Sequence, residues 1–168
     1  LLRWQHPELG VIAPDRFVPI AEKTALIKPL TEKVLEIAIR QSVEWERADL
    51  ALSIAINVSA RNLEDSDFFS TVSDLIRFHD ASPHLLQIEI TETALMHSPD
   101  EINDRLIRLR ELGVSIALDD FGTGYSSLSC LRDLAIDQLK LDRSFMRHLL
   151  FDRRTQTIVA KTIETAHS

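Results

Sequence analysis

Short apolar runs and stretches of helical period take turns along the chain. Residues 30–46, LTEKVLEIAIRQSVEWE, put Leu30, Val34, Ala38 and Trp45 near one face of a predicted helix. LSIAINVSA at 52–60 follows, a β-prone run whose apolar part ends at Asn57. SDFFSTVSDLIRFH at 66–79 predicts a second helix, stopped before Pro83, and LLQIEITET at 85–93 a strand that closes on acidic residues. Ser98, Pro99 and Glu101 then have the spacing of a capping box with proline at the first helical position. Ile102, Leu106 and Leu109 recur at i, i+4, i+7 behind it, and Gly113 offers the stop. VSIALDDF at 114–121 is a third strand, 126–133 a short helix, IDQLKLD at 136–142 a fourth strand and 153–166 a last helix.

Strand and helix alternating at this spacing predict βαβ units and parallel strands. The strands read as apolar throughout, the pattern of a sheet covered by helices. Each delivers polar residues at its C-terminal end: Asn57, Glu89, Asp119 with Asp120, and Lys140 with Asp142. Parallel strands bring those ends to one rim. The fold class is α/β, and four such strands match half of a (β/α)8 TIM-like barrel, incomplete in this chain. A doubly wound open sheet shows the same alternation, and the pattern alone does not separate the two.

Composition narrows the partners more than the fold. At 168 residues, with 45% apolar and 27% charged residues, the chain is one ordinary globular unit able to bury a core. A net charge of −7 argues against broad binding to nucleic acid, which needs a basic surface. It leaves room for a phosphate ligand if divalent cations stand between the carboxylates and the anion. The single cysteine, Cys130, forbids an internal disulfide and suits a reducing compartment. No run approaches the roughly 20 apolar residues of a membrane helix, so no membrane contact is expected from this segment. The opening LLRW has no initiator methionine and reads as an excerpt of a longer chain.

The chemistry concentrates at ALDDFGTGYSSL, 117–128. Two adjacent carboxylates repel unless positive charge lies between them. At a strand end the backbone turns, so neighbouring side chains need not face opposite ways, and Gly122 and Gly124 let the loop bend close to a ligand. Carboxylate and amide oxygens gathered at one rim suit magnesium or manganese rather than zinc. Two ions about 4 Å apart would clamp the attacking and leaving oxygens of a displacement. Rival motifs are weaker. DFG at 120–122 lacks the other kinase signatures, there is no GxGxxG or GxxxxGK[ST], and the six histidines form no HxxxH pair.

These residues carry a resemblance to the EAL domain family of bacterial cyclic di-GMP phosphodiesterases. It runs through LLRWQHPELGVIAPDRFVPIAEKTALI at the start, NVSA at 57–60, IEITET at 88–93, DDFGTGYSSL at 119–128 and IDQLKLDRSF at 136–145. The resemblance implies a (β/α)8 barrel, a cytoplasmic location, Mg2+ or Mn2+ as a pair of ions, and hydrolysis of cyclic di-GMP to linear pGpG. Carried over by motif, it implies metal ligation by Asn57, Glu89 and Asp119 and by Asp120 at the second ion. It implies that Lys140 orients water, Glu92 holds the DDFGTGYSS loop and Arg3 contacts a phosphate of the dinucleotide. It also implies that residues 1–168 are a partial domain. They begin at the leucine of the EAL signature, without its glutamate, and stop before the EGVE glutamate and the QGY-type glutamine. A catalytically inactive receptor of cyclic di-GMP is the alternative. GGDEF-type cyclase or sensor domains are usual companions in the parent chain. The 168 residues alone are expected to have little activity and, with an open sheet edge, to aggregate or pair as a homodimer.

Overall fold

A computed structural model describes residues 2–96, 99–122 and 134–167. The chain opens with an antiparallel hairpin, β1 (Trp4–His6) and β2 (Gly10–Ile12). His6 closes its turn by accepting the Glu8 and Leu9 N–H groups on Nδ1, at 3.1 and 3.2 Å. Gly10, at φ 70, supplies the left-handed backbone the turn requires. Helix α1 (Pro14–Glu22) begins on its proline, and α2 (Ile27–Arg47) is the long helix expected around 30–46. Its core-facing stripe differs from the expected one. Ile27, Thr31, Leu35, Ala38, Ile39, Ser42 and Val43 are buried, whereas Leu30, Val34 and Trp45 flank them. The two stripes share Ala38 and lie roughly a quarter turn apart, because the expected one was drawn through Leu30 and Val34, at the edge of the buried face.

The remaining elements are β3 (Ile54–Asn57), α3 (Ala60–Leu63), α4 (Phe68–His79), β4 (Leu86–Thr91), α5 (Pro99–Glu111), β5 (Ser115–Phe121), β6 (Gln138–Leu141), α6 (Arg143–His148) and α7 (Arg153–Ala166). The expected strands are present, each trimmed at its ends by short helical turns or extended lead-ins. Ser98 of the expected capping box and the helix at 126–133 lie outside the described residues. The hairpin, α1, α3 and α6 were not foreseen, being too short to show a period.

Strands β3, β4, β5 and β6 form one parallel sheet in that order. Consecutive order decides between the two candidate architectures. A doubly wound sheet reverses direction and covers both faces, whereas right-handed crossovers stepping always the same way put every helix on one face. This is the winding of a TIM-like (β/α) barrel.

One-sided cover corrects the reading of the strands as apolar throughout. They alternate. Ile54, Ile56, Leu86, Ile88, Ile90, Ile116 and Leu118 face the helices and join Leu35, Ile39, Val72, Ile76, Ile102, Leu106 and Leu109 in one core. The intervening positions, in register across the sheet, are Asn57, Glu89 and Ala117, then Thr91 and Asp119. An all-apolar strand would be needed only if both faces were packed in hydrocarbon. Here the inner face of the barrel carries the polar set.

Candidate active site

Asn57 and Glu89 are direct neighbours in the β3–β4 register, so their side chains leave the same face together. Asn57 Nδ2 donates to Glu89 Oε2 at 2.9 Å, and Lys140 Nζ of β6 donates to Glu89 Oε1. Both oxygens of a nearly buried carboxylate, 7% exposed, are thus engaged from strands on either side. The backbone beyond Asn57 is fixed by a second polar knot. Buried Asn62 accepts on Oδ1 from Ser59 at 2.6 Å and from Thr31 of α2 at 3.1 Å. The start of β6 is pinned similarly. Asp137 accepts the Ile116 N–H at 2.8 Å and the Arg110 Nε–H at 2.9 Å, tying β6 to β5 and α5.

The adjacent aspartates stand on a bulge. Between the paired residues Leu118 and Leu139 and the next pair, Phe121 and Leu141, β5 inserts one more residue than β6. Asp120 absorbs the insertion with a left-handed φ of 54, a conformation its short polar side chain tolerates. Its N–H donates to Asp119 Oδ1 at 2.9 Å. Gly122 follows at φ 95, and its N–H donates to Glu92 Oε2 at 3.0 Å. Glu92 is itself buried, 2% exposed. Gly124 lies outside the described residues.

Asp142 completes this end of the site, and the sequence reading assigned it no role. It caps α6 by accepting the Ser144 N–H at 2.8 Å, and hydrogen bonding from Ser144 holds its carboxyl below the usual range. Asp120 moves the other way. Partial loss of water pushes its carboxyl up, and the charges of Asp119 and Asp142 push in the same direction. The residue is exposed, so the desolvation is that of a rim position, and the crowded charge is what a bound cation would answer. Its period-two spacing from Lys140 was the available signal for Asp142.

A cleft of about 340 Å³ opens beside Asn57, lined by Glu22, Thr31, Ser59, Thr91 and Thr93 among others. Arg3 precedes β1, outside the four-stranded sheet, and donates to the Leu2 carbonyl at 2.8 Å. The sheet therefore bonds Asn57, Glu89 and Lys140 together and sets Asp119 and Asp120 at the same strand ends, with Glu92 behind the turn. Among the described residues no three His, Cys, Asp or Glu side chains form a ready-made metal cluster.

The family model described as the EAL domain matches residues 1–168. The chain belongs to the EAL domain family. Among its curated relatives, the cyclic di-GMP phosphodiesterase PA2567 of Pseudomonas aeruginosa is 45% identical over 166 residues, 99% of this chain and 28% of that protein. The cyclic di-GMP phosphodiesterase NbdA of the same organism is 40% identical over 167 residues, 99% of this chain and 21% of that protein. The chain thus spans less than a third of the length of these relatives. The MucR phosphodiesterase solved in complex with c-di-GMP superimposes with a TM-score of 0.92 at 39% identity, over 99% of this chain and 68% of that one. The fold is therefore that of an EAL domain, with four consecutive strands of its TIM-like barrel among the described residues. No helix among them is long and apolar enough to cross a membrane.

Proposed function

We propose that the protein hydrolyses cyclic di-GMP to linear pGpG at the strand-end cluster, using magnesium or manganese. The observation that carries this is the polar row on the inner face of the sheet. Asn57, Glu89 and Lys140 are bonded together across the sheet, and the Asp119–Asp120 bulge stands at the same strand ends. Active sites of such barrels are built at that end from several strands. The phosphodiesterase relatives PA2567 and NbdA and the c-di-GMP complex of MucR support the choice of substrate.

The donor set fits the ions. It consists of carboxylate and amide oxygens, which suit magnesium and manganese. Partial loss of water raises the Asp120 carboxyl, the charges of Asp119 and Asp142 raise it further, and a divalent ion beside these carboxylates would offset their repulsion. Asn57, Glu89 and Asp119 would hold one ion and Asp120 would serve a second. When bound, such ions supply Lewis-acid stabilisation of phosphate charge and acidify water. The chain's own contribution is positioning and charge. Lys140 is held by Glu89 with its remaining N–H donors available to a water or a phosphate oxygen. Glu92 fixes the Gly122 N–H and with it the turn that presents both aspartates. Arg3 offers a planar fork to a phosphate of the dinucleotide.

Turnover of cyclic di-GMP by the full-length protein with manganese tests the reading. Asp119→Ala should lower kcat by about a hundredfold or more, the scale of losing a metal ligand. Equal rates for the two proteins would end the proposal. Tight binding of cyclic di-GMP by the unmutated protein without any turnover would instead make it a receptor.

A further inference from the structure

Ala117 is fully buried, at 0% exposure, yet it has no place in the hydrophobic core that holds its neighbours Ile116 and Leu118. It lies on the inner face of β5, level with Glu89 of β4 on one side and Gln138 of β6 on the other. Strands β4 and β6 are not adjacent, and second neighbours in a sheet stand about 9.5 Å apart, twice the ordinary strand spacing. Side chains on such strands meet only if the strand between them presents little bulk.

Here they meet at two levels. Gln87 Nε2 donates to Gln138 Oε1 at 3.1 Å, and Lys140 Nζ donates to Glu89 Oε1. Along these bridges the inner-face residues of β5 are Ser115 and Ala117, with the Asp119–Asp120 bulge opposite Lys140 itself. Ser115 turns its hydroxyl aside onto the Leu86 carbonyl at 3.3 Å. Ala117 has only a methyl group. The Lys140–Glu89 bridge starts at its level, from Glu89 beside it on β4.

We propose that Ala117 is a positioning residue whose small side chain lets Lys140 reach across β5 to Glu89. Its bearing on catalysis rests on the reaction proposed above, whereas its effect on Lys140 does not. A β-branched side chain at 117 would keep the strand, since valine favours β structure, but would crowd the bridge. Lys140 would then lose Glu89 and project to solvent.

The test is a double-mutant cycle in the full-length protein: Ala117→Val with and without Lys140→Met, read by thermal unfolding. Alongside it, the rate at which an amine-reactive reagent acylates Lys140 is followed by mass spectrometry. Ala117→Val should speed acylation of Lys140 by roughly threefold or more, the scale of a lost ion pair, whereas Ala117→Gly should leave it near the unmutated rate. The fall in Tm caused by Ala117→Val should shrink by about half or more once Lys140 is methionine. Unfolding of Ala117→Val only when Lys140 is present would support the proposal in the same way. An equal loss in both backgrounds, unfolding in both included, would overturn it. So would a folded Ala117→Val protein with unchanged acylation. Neither readout uses cyclic di-GMP, so a failure of the phosphodiesterase reading would show separately, as absent turnover in the unmutated protein.

Discussion

At residue 120 a carboxylate occupies left-handed backbone, φ 54, where partial loss of water and then the charges of Asp119 and Asp142 raise its affinity for a proton. A folded-state pKa above the unfolded value means that ionisation disfavours folding. The stabilising contribution is present below the unfolded value, near 4, and is lost as pH rises through the folded one. At neutral pH, without added cations, the ionised Asp120 therefore costs stability. Asparagine accepts the same backbone and carries no charge, so Asp120→Asn should raise Tm at pH 7 by about 1 °C. The gain should fade below pH 4. Added manganese should stabilise the unmutated protein more than the variant, reversing the order. Thermal unfolding from pH 3.5 to 7.5, with and without the ion, checks this. A Tm difference independent of pH would show that the carboxyl is not strained by its neighbours.

The turn that carries the aspartates is one element held from three sides. The bulge sets the backbone path, the Glu92 carboxylate takes the Gly122 N–H, and Phe145 of α6 lies over Gly122. A Cβ built on Gly122 would stand 2.5 Å from Phe145 Cε2, and φ at this position is +95. Gly122→Ala should therefore destabilise the protein by about 2 kcal/mol and depress turnover. Adding Phe145→Leu should return part of the loss by removing the clash while leaving the backbone strain. Urea unfolding of the single and double variants measures both, and a neutral Gly122→Ala would refute the packing argument. Little of this was readable beforehand. The paired aspartates and glycines marked a special turn, but an inserted residue depends on the partner strand, which a single stretch of sequence does not reveal. The ring of Phe145 over Gly122 is a contact between residues 23 positions apart, again invisible to local pattern. By contrast α4, α5 and β4 were legible within a few residues, because their period is local and their ends are marked by Pro83, Pro99 and Gly113.

Across the whole molecule the sheet separates two jobs by face. Aliphatic residues on the outer face join α2, α4 and α5 in the core, and the inner face, freed from packing helices, carries amide, carboxylate and ammonium groups. Strand and helix alternation made parallel winding legible, but strand order was needed to choose the barrel over a doubly wound sheet. Misreading the strands as wholly apolar has the same origin. In β4 the sequence Leu86-Gln87-Ile88-Glu89-Ile90-Thr91 alternates strictly, and only the one-sided helix cover gives that alternation its meaning. An acidic molecule with net charge −7 repels a dinucleotide phosphate unless cations mediate. The most direct test is thus a structure of the full-length protein soaked in manganese, with anomalous scattering locating the ion. Manganese should be found bound by the side chains of Asn57, Glu89 and Asp119. Manganese found only elsewhere, with those three side chains turned from one another, would contradict it.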